Sequence, residues 1–270
     1  MLKDQVIFMD LYFKETGSEK DETIIFLHGG TMAGWMWDGQ VRTFKEYHCI
    51  IPDLPEHGKS IDLKPFTISD SAEMIIKIIR DHTVNGKAHL VGISLGGQII
   101  VKILSRNPEL VDHVLISGAI VRTIPHTESL LKLLNYAIKE YGPVKDTEFF
   151  IKANMRTYNL PKNLFDKFKE STLLINPDSL ERILTENLVF KLPNNLEKVD
   201  VPVLVMTGEK DYRIIKESTK DLLKALGISQ GYMVPKVGHA WNLENPKLFN
   251  RVLRRWINNK ALKNDLIPLD

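Results

Sequence analysis

Short apolar runs alternate with longer amphipathic stretches along most of this chain, and this alternation is the feature that most restricts its fold. The runs have the length and the β-branched content of buried strands, whereas the longer stretches carry apolar residues at helical spacing. Strands that alternate with helices form a parallel sheet with helices on both faces, an α/β fold. The sequence predicts strands at residues 23–27, 48–51, 88–91, 111–117, 201–207 and 231–234, helices at 38–47, 69–83, 95–107, 214–226 and 246–259, and an edge strand within 6–15.

The alternation stops between Gly118 and Val201. Four helical stretches follow there, with turn signals at Gly142-Pro143, Leu160-Pro161 and Asn176-Pro177. Ligands bind beyond the carboxyl ends of parallel strands, so an insertion that leaves this edge can cover the site. We therefore expect one structural domain, with a core formed by residues 1–121 and 196–270 and a helical lid formed by residues 122–195.

Charge and cysteine content exclude several classes of protein. The chain has 36 Lys and Arg against 34 Asp and Glu, a net charge of +2, which is too small to attract nucleic acid or anionic lipid. The single cysteine, Cys49, lies in an apolar run and is expected to be a buried strand thiol, so an internal disulfide is excluded. Lys3, Asp4 and Asp10 interrupt the N-terminal apolar residues, which leaves neither a signal peptide nor a membrane span. We expect a cytoplasmic protein, and the sequence predicts no particular oligomeric state.

The sequence Gly92-Ile93-Ser94-Leu95-Gly96 joins a predicted strand to a predicted helix. In this context a G-x-S-x-G motif forms a sharp turn that exposes the serine in a strained backbone conformation. The small residues two before and two after Ser94 let the neighbouring backbones pass close to it. The motif predicts that Ser94 is a nucleophile, and the alternative is a tight turn that happens to expose a serine.

With this motif the chain resembles the α/β-hydrolase superfamily, and in particular its serine esterases with a helical lid. Residues 24–30, Ile-Ile-Phe-Leu-His-Gly-Gly, are similar to the strand and His-Gly loop of that family. The resemblance implies that the backbone N–H groups of Gly30 and Leu95 form the oxyanion hole, with Thr31 as the alternative to Gly30. It also implies a mostly parallel central sheet with the lid inserted after the sixth strand of the family.

A second loop, Asp53-Leu54-Pro55-Glu56-His57-Gly58-Lys59-Ser60, is similar to the D-x-x-G-x-G-x-S loop of the same family. It departs from that pattern because Glu56 stands where the first glycine is usual. His28 and His57 lie in these motif loops, and we expect them to brace the backbone rather than to transfer protons.

A serine hydroxyl is a weak nucleophile and needs a histidine base held by a carboxylate. His239, in residues 237–246 between the last predicted strand and helix, matches the family's catalytic histidine loop. Asp211 ends the loop after the strand at 201–207, in the expected order Ser, Asp, His. Some family members carry the acid one strand earlier, but residues 117–119, Ser-Gly-Ala, contain no carboxylate. Glu209 is the nearest competitor and is interpreted as solvated.

Aromatic residues near these motifs are candidates for the substrate pocket. Trp35, Met36 and Trp37 follow the loop that contains Gly30 and Thr31, which we call the oxyanion loop, and Trp241 follows His239 by two residues. Trp35 and Trp241 are the candidate pocket residues, although aromatics that open a helix more often contact the core or a lid. Within the insertion, further candidates without an assigned role are Tyr136, Phe149, Phe150, Met155 and Tyr158.

The sequence contains no phosphate-binding, dinucleotide-binding or His-Glu-x-x-His motif, so no cofactor and no metal are expected. We interpret the chain as a hydrolase that cleaves a carboxylic ester of a small to medium molecule through an acyl-enzyme on Ser94. Two alternatives stay open. One is a hydrolase of lactones or carbon–carbon bonds with the same fold, and the other is a small-molecule receptor with slow or single turnover.

Overall fold

A mostly parallel sheet forms the centre of the molecule. The computed structural model describes residues 10–141, 144–262 and 265–269, and in these residues the sheet has eight strands in the order β1-β3-β2-β4-β5-β6-β7-β8. Only the edge strands β1 and β8 pair antiparallel with their neighbours. The strands are β1 Phe13–Thr16, β2 Thr23–Leu27, β3 His48–Pro52, β4 Ala88–Ile93, β5 Val111–Ser117, β6 Val203–Gly208, β7 Ser229–Val234 and β8 Ile267–Leu269.

Helices cover both faces of the sheet, which confirms the predicted fold class. They are α1 Asp38–Val41, α2 Ile68–His82, α3 Leu95–Leu104, α4 Thr127–Tyr141, α5 Glu148–Thr157, α6 Phe165–Leu174, α7 Pro177–Val189, α8 Arg213–Ala225, α9 Trp241–Glu244 and α10 Pro246–Ile257. Neighbouring residues of β2 point to opposite faces. Ile25 packs into the cluster formed with α2, α3 and α8, whereas Phe26 packs into the cluster formed with α10.

Helices α4 to α7 lie between β5 and β6, and we call residues 122–195 the helical insertion. Helix α7 is attached to the core at both ends. Near its C-terminus, the Gln98 side chain donates to the backbone carbonyl of Asn187 and accepts from the Asn187 side chain, and Glu186 accepts the backbone N–H of Ile68 at 2.8 Å. Helix α6 is attached through Ser171, which accepts the indole N–H of Trp35 at 2.8 Å. These contacts hold α7 at the carboxyl edge of the sheet.

The structure differs from the sequence prediction in several elements, one of which is α9, a short helix that the sequence does not predict. The predicted edge strand within 6–15 begins at Phe13, and its residues before position 10 lie outside the described part of the chain. The predicted helix at 38–47 ends at Val41, because the chain then turns to bury both Phe44 and Tyr47 in the core. The strand β8 was not predicted, because it has only three residues and no long apolar run marks it.

Cys49 is a buried thiol in β3, as predicted, and burial raises its pKa to about 12. No helix within the described ranges is both long enough and apolar enough to cross a membrane.

Candidate active site

Ser94 occupies a sharp turn between β4 and α3. Its backbone angles are φ 54° and ψ −115°, a strained left-handed conformation for a residue with a side chain. Its N–H donates to the carbonyl of Ser117 at 2.8 Å, which anchors the turn to β5. The glycines of the motif are required by close approach, because a Cβ on Gly92 would lie 2.6 Å from the carbonyl carbon of Gly96. The local sequence therefore dictates the turn that exposes Ser94.

Asp211 and His239 form a hydrogen-bonded pair beside this turn. Asp211 follows β6 and His239 follows β7, and these two strands are neighbours in the sheet. His239 Nδ1 donates to Asp211 Oδ1 at 2.8 Å. The other carboxylate oxygen accepts from the Thr207 hydroxyl at 3.0 Å and from the Gly208 N–H at 2.8 Å. The pair leaves Nε2 of His239 available to accept a proton.

The environment of Asp211 favours its charged form. Burial by itself raises the pKa of this carboxyl, but hydrogen bonds from His239, Gly208 and Thr207 outweigh burial, so the pKa lies below its ordinary value. The side chain of Asp211 is 1% exposed, whereas that of His239 is 19% exposed. A buried carboxylate therefore faces an imidazole that remains accessible from the adjoining cavity.

Gly118 and Glu244, which are assigned no role from the sequence, help to hold His239 in place. Gly118, at φ +69°, lies against the ring, and a Cβ at this position would lie 2.7 Å from His239 Cε1. Glu244 in α9 accepts the backbone N–H of Gly238 at 2.9 Å and so fixes the loop just before His239. Asn159 in turn donates to Glu244, which ties this loop to the helical insertion.

The backbone N–H groups of Gly30 and Leu95 lie at the mouth of the same turn. Leu95 is the first residue of α3, where an N–H has no partner within the helix. Thr31, the alternative donor, gives its N–H to His57 Nε2 at 3.1 Å. Within the described residues, no acceptor takes the N–H of Gly30 or Leu95. Gly30 and Leu95 are therefore better placed than Thr31 to bind an oxyanion.

His28 and His57 brace the loops, as the sequence predicts. His28 Nδ1 donates to the carbonyl of Gly29 at 2.8 Å, and its Nε2 accepts the N–H of Leu54 at 2.9 Å. His57 Nδ1 donates to the carbonyl of Pro55 at 2.9 Å. Burial lowers the pKa of His28 to about 4 and that of His57 to about 3, so both rings are neutral at neutral pH. Each ring can therefore accept a hydrogen bond from a backbone N–H at its Nε2.

Ser94 and His239 open into one cavity of about 120 Å³. Among the described residues the Ser94 hydroxyl has no hydrogen-bond partner, and catalytic hydrogen bonds are often long before a substrate binds. We call this space the inner cavity. The remaining lining comes from the oxyanion loop, from Met36 and Ala240, and from the insertion: Gly29, Gly30, Thr31, Met32, Met36, Ile93, Leu95, Tyr158, Ile183, Leu184, Asn187 and Ala240.

A second cavity of about 260 Å³ adjoins the inner cavity within the helical insertion, and we call it the outer cavity. Thr31, Tyr158 and Leu184 line both cavities. The outer cavity is mostly apolar, with side chains from α4, α5, α6 and α7. It provides room beyond the inner cavity for an apolar group of a bound molecule.

The structure corrects the placement of the two candidate pocket tryptophans. Trp241 is fully buried, donates its indole N–H to Ser117 Oγ at 2.9 Å and packs against Phe249, so it belongs to the core. Trp35 is bound to Ser171 of the insertion, and neither tryptophan lines the inner or the outer cavity. A buried indole N–H needs a hydrogen-bond acceptor. Both rings therefore lie against serine hydroxyl groups other than that of Ser94.

Other candidates from the sequence divide between the cavities, the core and the surface. Tyr158 lines both cavities and Phe150 lines the outer one, whereas Met155 is buried in the core. Tyr136 and Phe149 are exposed. Glu209 is exposed, as predicted, and its side chain accepts the N–H of Lys236.

Sequence reasoning missed the residues that approach the site from a distance along the chain. Ile183, Leu184 and Asn187 belong to α7, whose sequence has no motif. Gly118 carries a weak signal, because a glycine that directly follows a predicted strand often has a positive φ. Glu244 lies within the histidine loop at residues 237–246, but nothing in that sequence singles out its side chain.

Comparisons with known proteins agree with this fold. A model of the alpha/beta hydrolase family matches residues 24–252, so the chain belongs to the alpha/beta hydrolase family. An AB hydrolase superfamily protein of Gibberella zeae is 27% identical over 268 residues, which cover 95% of this chain and 88% of that protein.

Two further relatives were compared. A 2-hydroxy-6-oxo-6-(2'-aminophenyl)hexa-2,4-dienoic acid hydrolase of Metapseudomonas resinovorans is 23% identical, and the match covers 90% of this chain and 86% of that one. The solved structure of an esterase from Exiguobacterium antarcticum superposes with a TM-score of 0.78 at 21% identity, over 92% of this chain and 95% of that one. At this identity the superposition shows the shared fold.

Proposed function

We propose that this hydrolase cleaves carboxylic esters of small to medium molecules, with Ser94 as nucleophile, His239 as base and Asp211 as the group that orients His239. The observation that carries the proposal is the inner cavity itself. It brings together a serine on a strained turn, an imidazole paired with a buried carboxylate, and two backbone N–H groups that have no acceptor among the described residues. A purely structural turn requires none of these in combination.

The proposed reaction has two halves. Ser94 Oγ bonds to the carbonyl carbon while its proton passes to His239 Nε2, and the N–H groups of Gly30 and Leu95 stabilise the oxyanion. The bond to the alcohol then breaks, and the alcohol leaves with the proton held by His239. In the second half, His239 takes a proton from water, the hydroxide attacks the acyl carbon, and Ser94 recovers its proton as the acid departs.

The lining of the inner cavity favours a neutral acyl group. Among the described residues that line it, His239 is the only one that can carry a positive charge, and neither lysine nor arginine is present. An anionic group in this space would lose its hydration without gaining a cationic partner. This supports a neutral group in the inner cavity, whereas Lys145 lines the outer cavity and can face an anionic group there.

The identity of the nucleophile can be tested by covalent labelling. We expect an alkyl fluorophosphonate to add once per chain, on the tryptic peptide that contains Ser94, and to abolish hydrolysis of p-nitrophenyl butyrate. The Ser94→Ala variant should take up no label. Ser105, whose hydroxyl donates to a backbone carbonyl at the end of α3, provides the control, and Ser105→Ala should be labelled like the wild type. Labelling of Ser94→Ala at the wild-type rate would contradict the proposal.

A further inference from the structure

Glu56 is a buried charge in an unfavourable backbone conformation. It has φ 61° and is 0% exposed. It also stands at the position where the loop pattern described above usually has glycine, a residue that adopts this conformation without strain. A strained residue persists when its contacts over-determine it, so the contacts of Glu56 point to the reason for its presence.

Those contacts join the loop to α7. Glu56 Oε1 accepts the hydroxyl of Ser179 at 2.9 Å, and Oε2 accepts Arg182 Nε at 3.0 Å. Arg182 Nη2 donates to Oε1 as well, so the guanidinium engages both carboxylate oxygens. The backbone N–H of Phe66 completes the set at 3.0 Å. Charged hydrogen bonds from two residues of one helix turn fix that turn against the core.

The same turn of α7 forms the wall of the site. Ile183, next to Arg182 in the chain, lines the inner cavity, and a Cβ built on Gly30 would lie 3.5 Å from Ile183 Cγ2. Helix α7 therefore rests directly on the oxyanion loop. From the other side, His57, next to Glu56, accepts the N–H of Thr31 in that loop. Glu56 is thus linked to the oxyanion loop twice, through His57 and through the Arg182–Ile183 segment of α7.

We infer that Glu56 is a positioning residue that holds α7 closed over Ser94 through Ser179 and Arg182. Its kinetic consequence rests on the proposed function. When only a fraction of molecules has α7 in place, the apparent affinity for substrate falls by that fraction, whereas the bound complex reacts at a similar rate. Loss of Glu56 should therefore raise KM and leave kcat almost unchanged.

The test is the variant Glu56→Gly. Glycine relieves the backbone strain at this position, and the substitution removes the carboxylate that binds Ser179 and Arg182. The side chain of Arg182 is 36% exposed and can turn to water, so the variant is expected to fold. We expect KM for p-nitrophenyl butyrate to rise about tenfold, with kcat within about threefold of wild type. We also expect the amides of residues 180–189 to exchange with deuterium at least about tenfold faster, with no change in the central strands.

Three variants serve as controls. Lys236→Gly removes another side chain from a left-handed position, φ 65°, and should leave KM and α7 exchange unchanged. Lys167→Ala removes the exposed ion pair between α6 and Asp38 and should do the same. Arg182→Lys keeps the positive charge opposite Glu56 but loses the two-point contact, so its KM should lie between those of the wild type and Glu56→Gly. If Glu56→Gly does not fold, Glu56→Gln is measured in its place, because it keeps the side-chain volume and removes the charge.

The outcomes are distinct. Faster exchange of α7 together with a raised KM supports the inference. Unchanged deuterium exchange of the α7 amides in Glu56→Gly overturns the inference. This holds both when KM is unchanged and when kcat alone falls. If the wild type hydrolyses no ester, the proposed function fails, and the exchange of α7 in Glu56→Gly against Lys236→Gly still decides whether Glu56 holds the helix.

Discussion

At the scale of single residues, the position of His239 depends on a glycine that forms no hydrogen bond with it. Gly118 follows β5 in a left-handed conformation, and its bare Cα lets the imidazole lie against the backbone. The hydrogen bond to Asp211 orients the imidazole of His239, while Gly118 leaves space for the ring. Both are needed for the ring to reach the cavity at Ser94.

The substitution Gly118→Ala should displace His239. A Cβ there would lie 2.7 Å from Cε1 and 2.9 Å from Nδ1 of the ring. We expect kcat/KM for p-nitrophenyl esters to fall about 100-fold, because a misplacement of about 1 Å in a catalytic group has this effect. Gly86→Ala is the matched control, since Gly86 has φ +72° and nothing within 4 Å of its built Cβ. Equal activity of the two variants would refute the account of Gly118.

The substitution Asp211→Asn should leave the shape of the site and remove its charge. An amide in this position favours the wrong tautomer of His239, and kcat should fall about 10⁴-fold in steady-state assays. The pKa of Asp211 is lower in the fold than its ordinary value of 3.8, so ionisation stabilises the fold above that pH, and the stabilisation disappears as the pH falls through the lowered pKa.

The difference in unfolding free energy between wild type and Asp211→Asn should depend on pH in the same direction. Urea titrations should show the variant less stable at pH 7 and the difference shrinking in acid below pH 3.8. A difference that grows as the pH falls would contradict the assignment of a charged, stabilised Asp211.

At the scale of elements, α7 owes its position to polar contacts with the core. Gln98 in α3 is fully buried, donates to the carbonyls of Ile120 and Asn187, and accepts from the Asn187 side chain. This amide joins the segment just before the insertion to the last helix of the insertion. The exposed ion pairs of the insertion contribute less, because solvent screens them.

Replacement of Gln98 by Leu should destabilise the protein and loosen α7. The substitution leaves the partly buried carbonyls of Ile120 and Asn187 without this donor, and the free energy of unfolding should fall by about 1 to 2 kcal/mol. Chemical denaturation measures the loss, and Gln230→Leu, an exposed position in β7, is the control. A stability equal to that of the wild type would show that the amide network is dispensable.

Elements with strong local signals could be predicted from the sequence. The strands and helices around Ser94, Asp211 and His239 have clear periodicity and motif loops, and the structure brings these three residues together. Helix α1 was predicted too long because the burial of Phe44 and Tyr47, a tertiary effect, overrides the local helical pattern. The pocket tryptophans were misplaced because their hydroxyl partners, Ser117 and Ser171, lie far away in the sequence.

At the scale of the whole molecule, buried neutral histidines limit stability in acid. Burial lowers the pKa of His28 and His89 to about 4 and that of His57 to about 3, whereas the ordinary value is 6.5. The unfolded chain therefore binds more protons than the folded one below pH 6.5. Stability should fall as the pH falls from 6.5 to about 4, and each such histidine contributes about 1.4 kcal/mol per pH unit.

A single variant can isolate one of these histidines. His89 lies outside the site, and within the described part of the chain its Nδ1 is buried without a partner. His89→Phe should lower the pH dependence of the unfolding free energy by about 1.4 kcal/mol per pH unit between pH 6.5 and 4. Urea titrations at four pH values measure this slope. If the variant and the wild type have the same slope, the pKa of His89 does not differ between the folded and unfolded states.

The overall architecture was accessible from the alternation of strands and helices, whereas the fit between core and insertion was not. Glu56 and Arg182 are far apart in the sequence, and nothing in either segment identifies the other as its partner. The same holds for Gly30 and Ile183. Such contacts arise from the geometry of the folded chain, which a local pattern does not encode.

The most direct measurement of the central claim is a pre-steady-state trace of p-nitrophenol release from p-nitrophenyl acetate, recorded for wild type and Ser94→Ala. We predict sustained release by the wild type and a loss of more than about a thousandfold in the variant. A burst of one equivalent that then stops would favour a single-turnover receptor over an enzyme. Sustained release by Ser94→Ala at a rate near that of the wild type would contradict the assignment of Ser94 as the nucleophile.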